Sequence, residues 1–125
     1  MLTAARTMAT VVALSMAWVA VLAQVNVSGT WDLEMRWPDG SISTGACVLE
    51  QKGDALSGTC GGGNDRFPVT GRAVGGDVSW AVDVKQGGAD ASMEFTGKVD
   101  DAGTGIAGTC RIVGVQGGTF TMKKT

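Results

Sequence analysis

The residues of this 125-residue chain best suited to covalent chemistry are three cysteines, Cys47, Cys60 and Cys110. A cysteine or serine nucleophile needs a neighbouring base, usually histidine, and the chain contains no histidine. Three cysteines this far apart also lack the spacing of metal ligands. The sequence therefore predicts neither a nucleophilic enzyme nor a metal centre.

Carboxylates are the next candidates for catalysis. Asp32 and Glu34 belong to the segment GTWDLEMRW at 29–37, in which large apolar and charged residues alternate. A period of two is typical of a strand with one face in a core and one in water. Asp83 and Glu94 occupy the same outward positions of later segments. The interior then holds no acid–base pair, and we expect no catalytic residue and no cofactor.

Seven further segments repeat this alternation, and no stretch is typical of a helix. Two-residue turns are predicted at 53–54 and 75–76, and loops at 61–66, 86–90 and 114–117. Connections this short make consecutive strands antiparallel neighbours. The predicted fold is all-β, an eight-stranded antiparallel up-and-down meander barrel, which leaves no exposed edge. A two-sheet β-sandwich is the alternative.

Glycine recurs in the middle of four strands, at Gly58, Gly71, Gly97 and Gly108. Tight barrel curvature needs such kinks, so these positions favour the barrel over the sandwich. Across the turn at 75–76, Trp80 is predicted to lie opposite Gly71, which sets a large ring against a missing side chain.

The hairpin at 53–54 decides which cysteines pair. Counting outward from this turn, Cys47 lies opposite Cys60 at a non-hydrogen-bonded pair, where Cα atoms are closest and a disulfide fits. Cys110 points inward and would remain a buried thiol. The rival pairing joins Cys60 to Cys110 across the barrel.

The first 23 residues have the pattern of a secretory signal peptide. Arg6 is their only charge, residues 8–19 are mostly apolar, and Val21 and Ala23 provide the small residues of a cleavage site. A retained membrane anchor is the alternative, although the segment is short and no stop-transfer charges follow it. We expect cleavage after Ala23 and a secreted or periplasmic domain of residues 24–125 without a membrane span.

Charge excludes one class of partner. Without Arg6 the mature chain has nine basic and twelve acidic residues and a net charge of −3, and neither sign is clustered. A nucleic-acid surface needs a basic patch, so we expect no nucleic-acid partner. We expect a monomer.

Six motifs resemble, in order and spacing, the strand framework of avidin and streptavidin. They are GTW at 29–31, LSGT at 56–59, VTGR at 69–72, VSWAV at 78–82, FTG at 95–97 and TFT at 119–121. The Gly-x-Trp start, with a basic residue such as Lys123 to cover Trp31, is shared by the wider lipocalin-like barrels. The resemblance implies an eight-stranded barrel whose open mouth carries the first, third, fifth and seventh loops.

The resemblance does not extend to the biotin contacts. Residues without the family's polar groups occupy the matching positions: Leu33, Trp37, Cys60, Gly62, Ala91, Met93 and Gly118. The family's binding-site tryptophans are replaced by Val84, Phe95 and Cys110. The resemblance therefore implies the scaffold without biotin binding.

An eight-stranded barrel is either filled by its own side chains or holds one small ligand. We assign Trp31, Trp80, Phe95 and Phe120 to the core. The candidate ligand contacts are Trp37, Asn64, Arg66, Phe67, Val84 and Met93. The predicted function is a secreted, non-enzymatic, avidin-like barrel that binds a small apolar ligand at its mouth, or is simply a packed domain. The alternative is a protein-binding module of the cell envelope, because the chain also resembles the periplasmic barrels that inhibit secreted metalloproteases.

Overall fold

The structure is a computed structural model that describes residues 25–86 and 88–125, so the predicted signal peptide and its cleavage site lie outside the described residues. Eight strands follow one another: β1 (Gly29–Arg36), β2 (Ile42–Lys52), β3 (Ala55–Gly61), β4 (Phe67–Val74), β5 (Asp77–Gln86), β6 (Ala89–Val99), β7 (Gly105–Ile112) and β8 (Gln116–Lys124). Each pairs antiparallel with its sequence neighbours, and β1 also pairs with β8. The predicted meander barrel is confirmed, and the sandwich is wrong. Within the described ranges, no helix has the length and apolar character of a membrane span.

Two predicted loops are too long. Gln86 ends β5 and Ala89 begins β6, so the predicted loop at 86–90 is a tight turn in which Gly88 has a φ of +83°. Similarly, β8 begins at Gln116, inside the predicted loop at 114–117. Glycine and polar residues can still form the backbone hydrogen bonds of a strand. The alternation of apolar and polar side chains, from which the loops were predicted, does not depend on those hydrogen bonds.

The hairpin registers agree with the turn counting. Cys47 lies opposite Cys60, and Gly71 lies opposite Trp80. A disulfide joins Cys47 to Cys60 across a Cα–Cα distance of 4.0 Å, and Cys110 is free and buried. The predicted pairing is confirmed, and the rival Cys60–Cys110 bridge is wrong.

A cluster of three aromatic rings fills the middle of the barrel. The indole of Trp80 stacks on Phe95 with ring centroids 5.0 Å apart, and Phe120 meets these two rings edge-on at 5.5 and 5.2 Å. All three side chains are buried. Such offset and edge-to-face pairs contribute about 0.5–1.5 kcal/mol each beyond their buried area.

Missing side chains make room for these rings. A Cβ atom added to Gly71 would lie 2.5 Å from the Cβ of Trp80, and one added to Gly97 would lie 3.1 Å from the Phe120 ring. Gly97 and Gly108 are register partners, and a Cβ on Gly108 would lie 2.5 Å from the Gly97 Cα. The glycines therefore let neighbouring strands and rings approach more closely than any other residue would.

Residues 25–28 close one end of the barrel. Val27 is fully buried, its carbonyl accepts a hydrogen bond from Trp31 Nε1 at 2.9 Å, and its amide donates to Gln51 Oε1 at 3.0 Å. The Lys124 ammonium lies 5.6 Å from the centroid of the Trp31 ring. The expectation that Lys123 covers Trp31 is wrong, because Lys124 is the register partner of Trp31 and Lys123 falls on the opposite face.

We predict that Gly71→Ala lowers the free energy of unfolding by about 1–3 kcal/mol, the usual cost of overpacking. The new methyl group would have to displace the backbone of β5 or the Trp80 side chain. Gly117→Ala is the matched control in β8, since its nearest contact would be 3.4 Å, and we expect a change within about 0.5 kcal/mol. Urea unfolding followed by tryptophan fluorescence measures both; equal losses would contradict the packing argument.

Candidate functional site

A cavity of about 220 Å³ lies at the end of the barrel opposite residues 25–28. Loops following β1, β3, β5 and β7 surround this end, because strand direction alternates around the meander. We call this space the mouth cavity. The mouth cavity lies at the end of the barrel that the avidin-like resemblance implies to be open.

Apolar side chains form most of the wall of the mouth cavity. They project from the inward positions of β1, β4, β5 and β6, where every second residue faces the interior. These residues are Leu33, Met35, Phe67, Val82, Val84, Met93 and Phe95. Phe95 belongs to both the wall and the aromatic cluster, so the packed rings set how deep a ligand can enter.

Glycines keep the mouth cavity open on its β2–β3 side. Gly45, Gly61 and Gly62 line it, and a Cβ atom on Gly45 would lie 2.8 Å from the Gly61 carbonyl oxygen. The half-cystine Cys60 lines the same side. Thr44 of β2 also lines this side, so backbone, a disulfide and one hydroxyl-bearing residue form this part of the wall.

Three of the six predicted contacts line the mouth cavity: Phe67, Val84 and Met93. Asn64 does not line it and is exposed in the loop between β3 and β4. Arg66 also points elsewhere, since its guanidinium donates to the carbonyls of Gly63 at 3.1 Å and Asp65 at 2.7 Å.

Trp37 lies on the rim beside the mouth cavity without lining it. Its Nε1 donates to Ser43 Oγ at 3.1 Å, and its ring packs against Gly118. The adjoining turn is held by Ser41, whose hydroxyl and amide donate to the Asp39 carboxylate at 2.6 and 2.8 Å. These hydrogen bonds lower the pKa of Asp39, so this exposed group is ionised at neutral pH.

Several lining residues were not among the predicted contacts. Leu33, Met35 and Val82 occupy inward positions of their strands, like the predicted contacts. Their closeness in sequence to the loops of the mouth could have identified them as lining residues. Asp65 and Lys85 also line the mouth cavity, as a loop residue and a nominally outward residue near a strand end. Strand alternation gives no indication of either.

A larger concavity of about 510 Å³ adjoins the mouth cavity, with which it shares Leu33 and Gly45. Its polar lining residues include Asp32, Glu34, Arg66 and Lys123. Glu34 forms an exposed ion pair with Arg36 at 2.9 Å. Exposed pairs contribute little binding energy, whereas the mouth cavity offers a ligand a mostly apolar wall. The mouth cavity is therefore the better candidate for a ligand site, although it is smaller.

Cys110 is the free thiol in the described part of the chain, and it lies outside the mouth cavity. Burial raises the pKa of the Cys110 thiol, and its Sγ lies 3.7 Å from the Thr119 carbonyl oxygen. A raised pKa and loss of solvent access both lower the reactivity of a thiol. Cys110 is therefore better suited to a structural role in the core than to a reactive one.

We predict that iodoacetamide labels none of the cysteines of the native protein at mildly alkaline pH. In denaturant without a reductant, we expect one label per chain, on Cys110, and reduction should add two more on Cys47 and Cys60. Intact-mass and peptide mass spectrometry count and locate the labels. A labelled Cys47 in the unreduced, unfolded protein would contradict the disulfide.

The closed eight-stranded meander is consistent with a calycin-like fold. No protein-family model matches this chain, and a comparison with curated proteins finds none that matches it.

Proposed function

We propose that this protein is a secreted, non-enzymatic binding protein whose barrel takes one small apolar ligand at its mouth. The observation that supports this function is the 220 Å³ mouth cavity with its apolar wall. An apolar cavity of about 150 Å³ can hold benzene, whereas drug-sized ligands need about 300–1,000 Å³. The ligand is therefore about one ring with a short substituent, or a short alkyl chain.

The expected affinity for a purely apolar ligand is weak. Burying about 150 Å² of apolar ligand surface contributes on the order of 4 kcal/mol, which corresponds to a Kd of about 1 mM. A tighter ligand would need polar groups that match the rim of the mouth cavity.

Two features support a location outside the cytoplasm. The signal-peptide pattern at 1–23 directs export, and disulfides such as Cys47–Cys60 persist in oxidising compartments. Kinship with avidin is part of this proposal and rests on the six strand motifs. The proposal assigns no catalytic residue, because the chain has no histidine and the interior positions hold no acid–base pair.

We predict that Val84→Phe weakens toluene binding by about tenfold or more, because the added ring occupies the mouth cavity. Val84 is only partly buried, so the ring has room to fit without overpacking the core. Val74→Phe is the control, because Val74 lies 45% exposed at the opposite end. Titration calorimetry with toluene measures both variants, and equal affinities would place the binding site elsewhere.

We also predict that biotin does not bind with micromolar or tighter affinity. Its ureido group needs several donors and acceptors, and each polar group left unpaired in a buried site costs about 1–3 kcal/mol. Loss of four such contacts implies roughly 4–12 kcal/mol on that scale. Leu33, Cys60 and Met93 line the cavity where polar contacts would be needed. Calorimetric titration with biotin tests this, and micromolar binding would contradict it.

A second candidate function is a protein-binding module of the cell envelope. The loop between β7 and β8 supports it, because Val113 and Val115 are 47% and 72% exposed at the mouth end. Clustered exposed apolar side chains are typical of interaction surfaces. This candidate requires no ligand in the mouth cavity, so loss of partner binding in a Val115→Asp variant with unchanged toluene binding would favour it.

A further inference from the structure

The rim of the mouth cavity carries one acidic and one basic side chain, Asp65 and Lys85. In the described part of the chain, ion pairs involve other residues: Arg36–Glu34, Lys52–Glu50, Lys98–Asp77 and Arg111–Glu94. No ion pair or side-chain hydrogen bond engages Asp65 or Lys85 within those described ranges. Both groups are exposed, so each remains hydrated and ready to meet a ligand.

The neighbours of these two residues form no ion pair with them. Asp90 is the register partner of Lys85, and Asp83 and Asp90 line an adjoining depression that shares Phe67, Val84 and Lys85 with the mouth cavity. Neither forms an ion pair with Lys85, and neither lines the mouth cavity. Arg66 follows Asp65 directly, but its guanidinium donates to backbone carbonyls. The acid and the base therefore border the same apolar space as separate charges.

We infer that the ligand of the mouth cavity is a free, large apolar α-amino acid. This inference rests on the proposed function, because it needs the apolar cavity to hold the side chain. The ammonium would face Asp65, the carboxylate would face Lys85, and both charges would stay at the wet rim. Charges that remain partly hydrated avoid the large desolvation cost of a buried ion pair.

A zwitterion fits this rim better than a ligand with a single charge. A ligand with only a carboxylate would be attracted by Lys85 and repelled by Asp65. A ligand with only an ammonium would be attracted by Asp65 and repelled by Lys85. An exposed ion pair contributes about 0.2–1 kcal/mol, which is about a 1.4- to 5-fold gain in affinity for each matched charge. Phenylalanine suits the volume, since its ring is that of benzene and its remaining atoms extend to the rim.

A matched series of ligands with one aromatic ring tests the inference. The probes are L-phenylalanine, 3-phenylpropionate, 2-phenylethylamine and toluene, titrated calorimetrically at low ionic strength. We expect L-phenylalanine to bind about two- to fivefold more tightly than either singly charged compound. Peptides with phenylalanine at the N-terminus or the C-terminus carry only one of the two charges beside that side chain, so they should also bind more weakly.

Two variants assign the charges. Asp65→Asn and Lys85→Gln should each weaken L-phenylalanine binding by about two- to fivefold and leave toluene binding unchanged. Asp101→Asn and Lys52→Gln make the same charge changes at exposed residues of the opposite end of the barrel, and they should leave both affinities unchanged.

The outcomes separate this inference from the proposed function. If toluene binds and L-phenylalanine binds no more tightly than the singly charged compounds, the amino-acid inference is wrong and the proposed function stands. If neither toluene nor L-phenylalanine binds, the proposed function fails. If a terminal phenylalanine in a peptide binds more tightly than the free amino acid, the ligand is a peptide end and the inference is wrong.

Discussion

The fit of three aromatic rings inside eight strands is the constraint on which the rest of this structure depends. Each ring buries about 150–250 Å², which contributes about 4–6 kcal/mol. The same packing leaves the Trp80 Nε1 as a buried side-chain donor without a hydrogen-bond partner among the described residues, at a cost of about 1–3 kcal/mol. Ring burial contributes more free energy than the unpaired donor costs. Gly71 and Gly97 leave space for the rings, and Gly108 lets its strand approach Gly97.

This packing determines where the barrel can be hollow. The rings fill the middle, and Val27, held by Trp31 and Gln51, closes one end. The other end retains the mouth cavity, which is lined by inward-facing residues, with Gly45 and its glycine neighbours on the β2–β3 side. A small ligand site at the mouth is therefore a consequence of the core, because deeper entry would require displacing Phe95.

The barrel could be predicted because the patterns that specify it lie within single strands and turns. Alternation gives the inward face of each strand, and two-residue turns set the register that brings Cys47 to Cys60 and Trp80 to Gly71. Short sequence patterns do not determine how far along the barrel axis a residue lies or which path a loop takes. Trp37 follows the last residue of β1 and belongs to a turn closed by hydrogen bonds from Trp37 to Ser41 and from Gly40 to Trp37. Its ring packs against Gly118 and the core, beside the mouth cavity but outside its lining.

The same distinction explains why the rim charges escape prediction. Asp77–Lys98 and Glu94–Arg111 bridge strands because the register sets them opposite each other. Asp65 belongs to a loop, which no strand register positions. Lys85 does lie opposite an acid, yet it borders the mouth cavity without an ion pair. The sheet thus fixes a cavity of a given size and apolarity, whereas residues at strand ends and in loops decide which charges a ligand meets, as is usual for sites carried on a rigid scaffold.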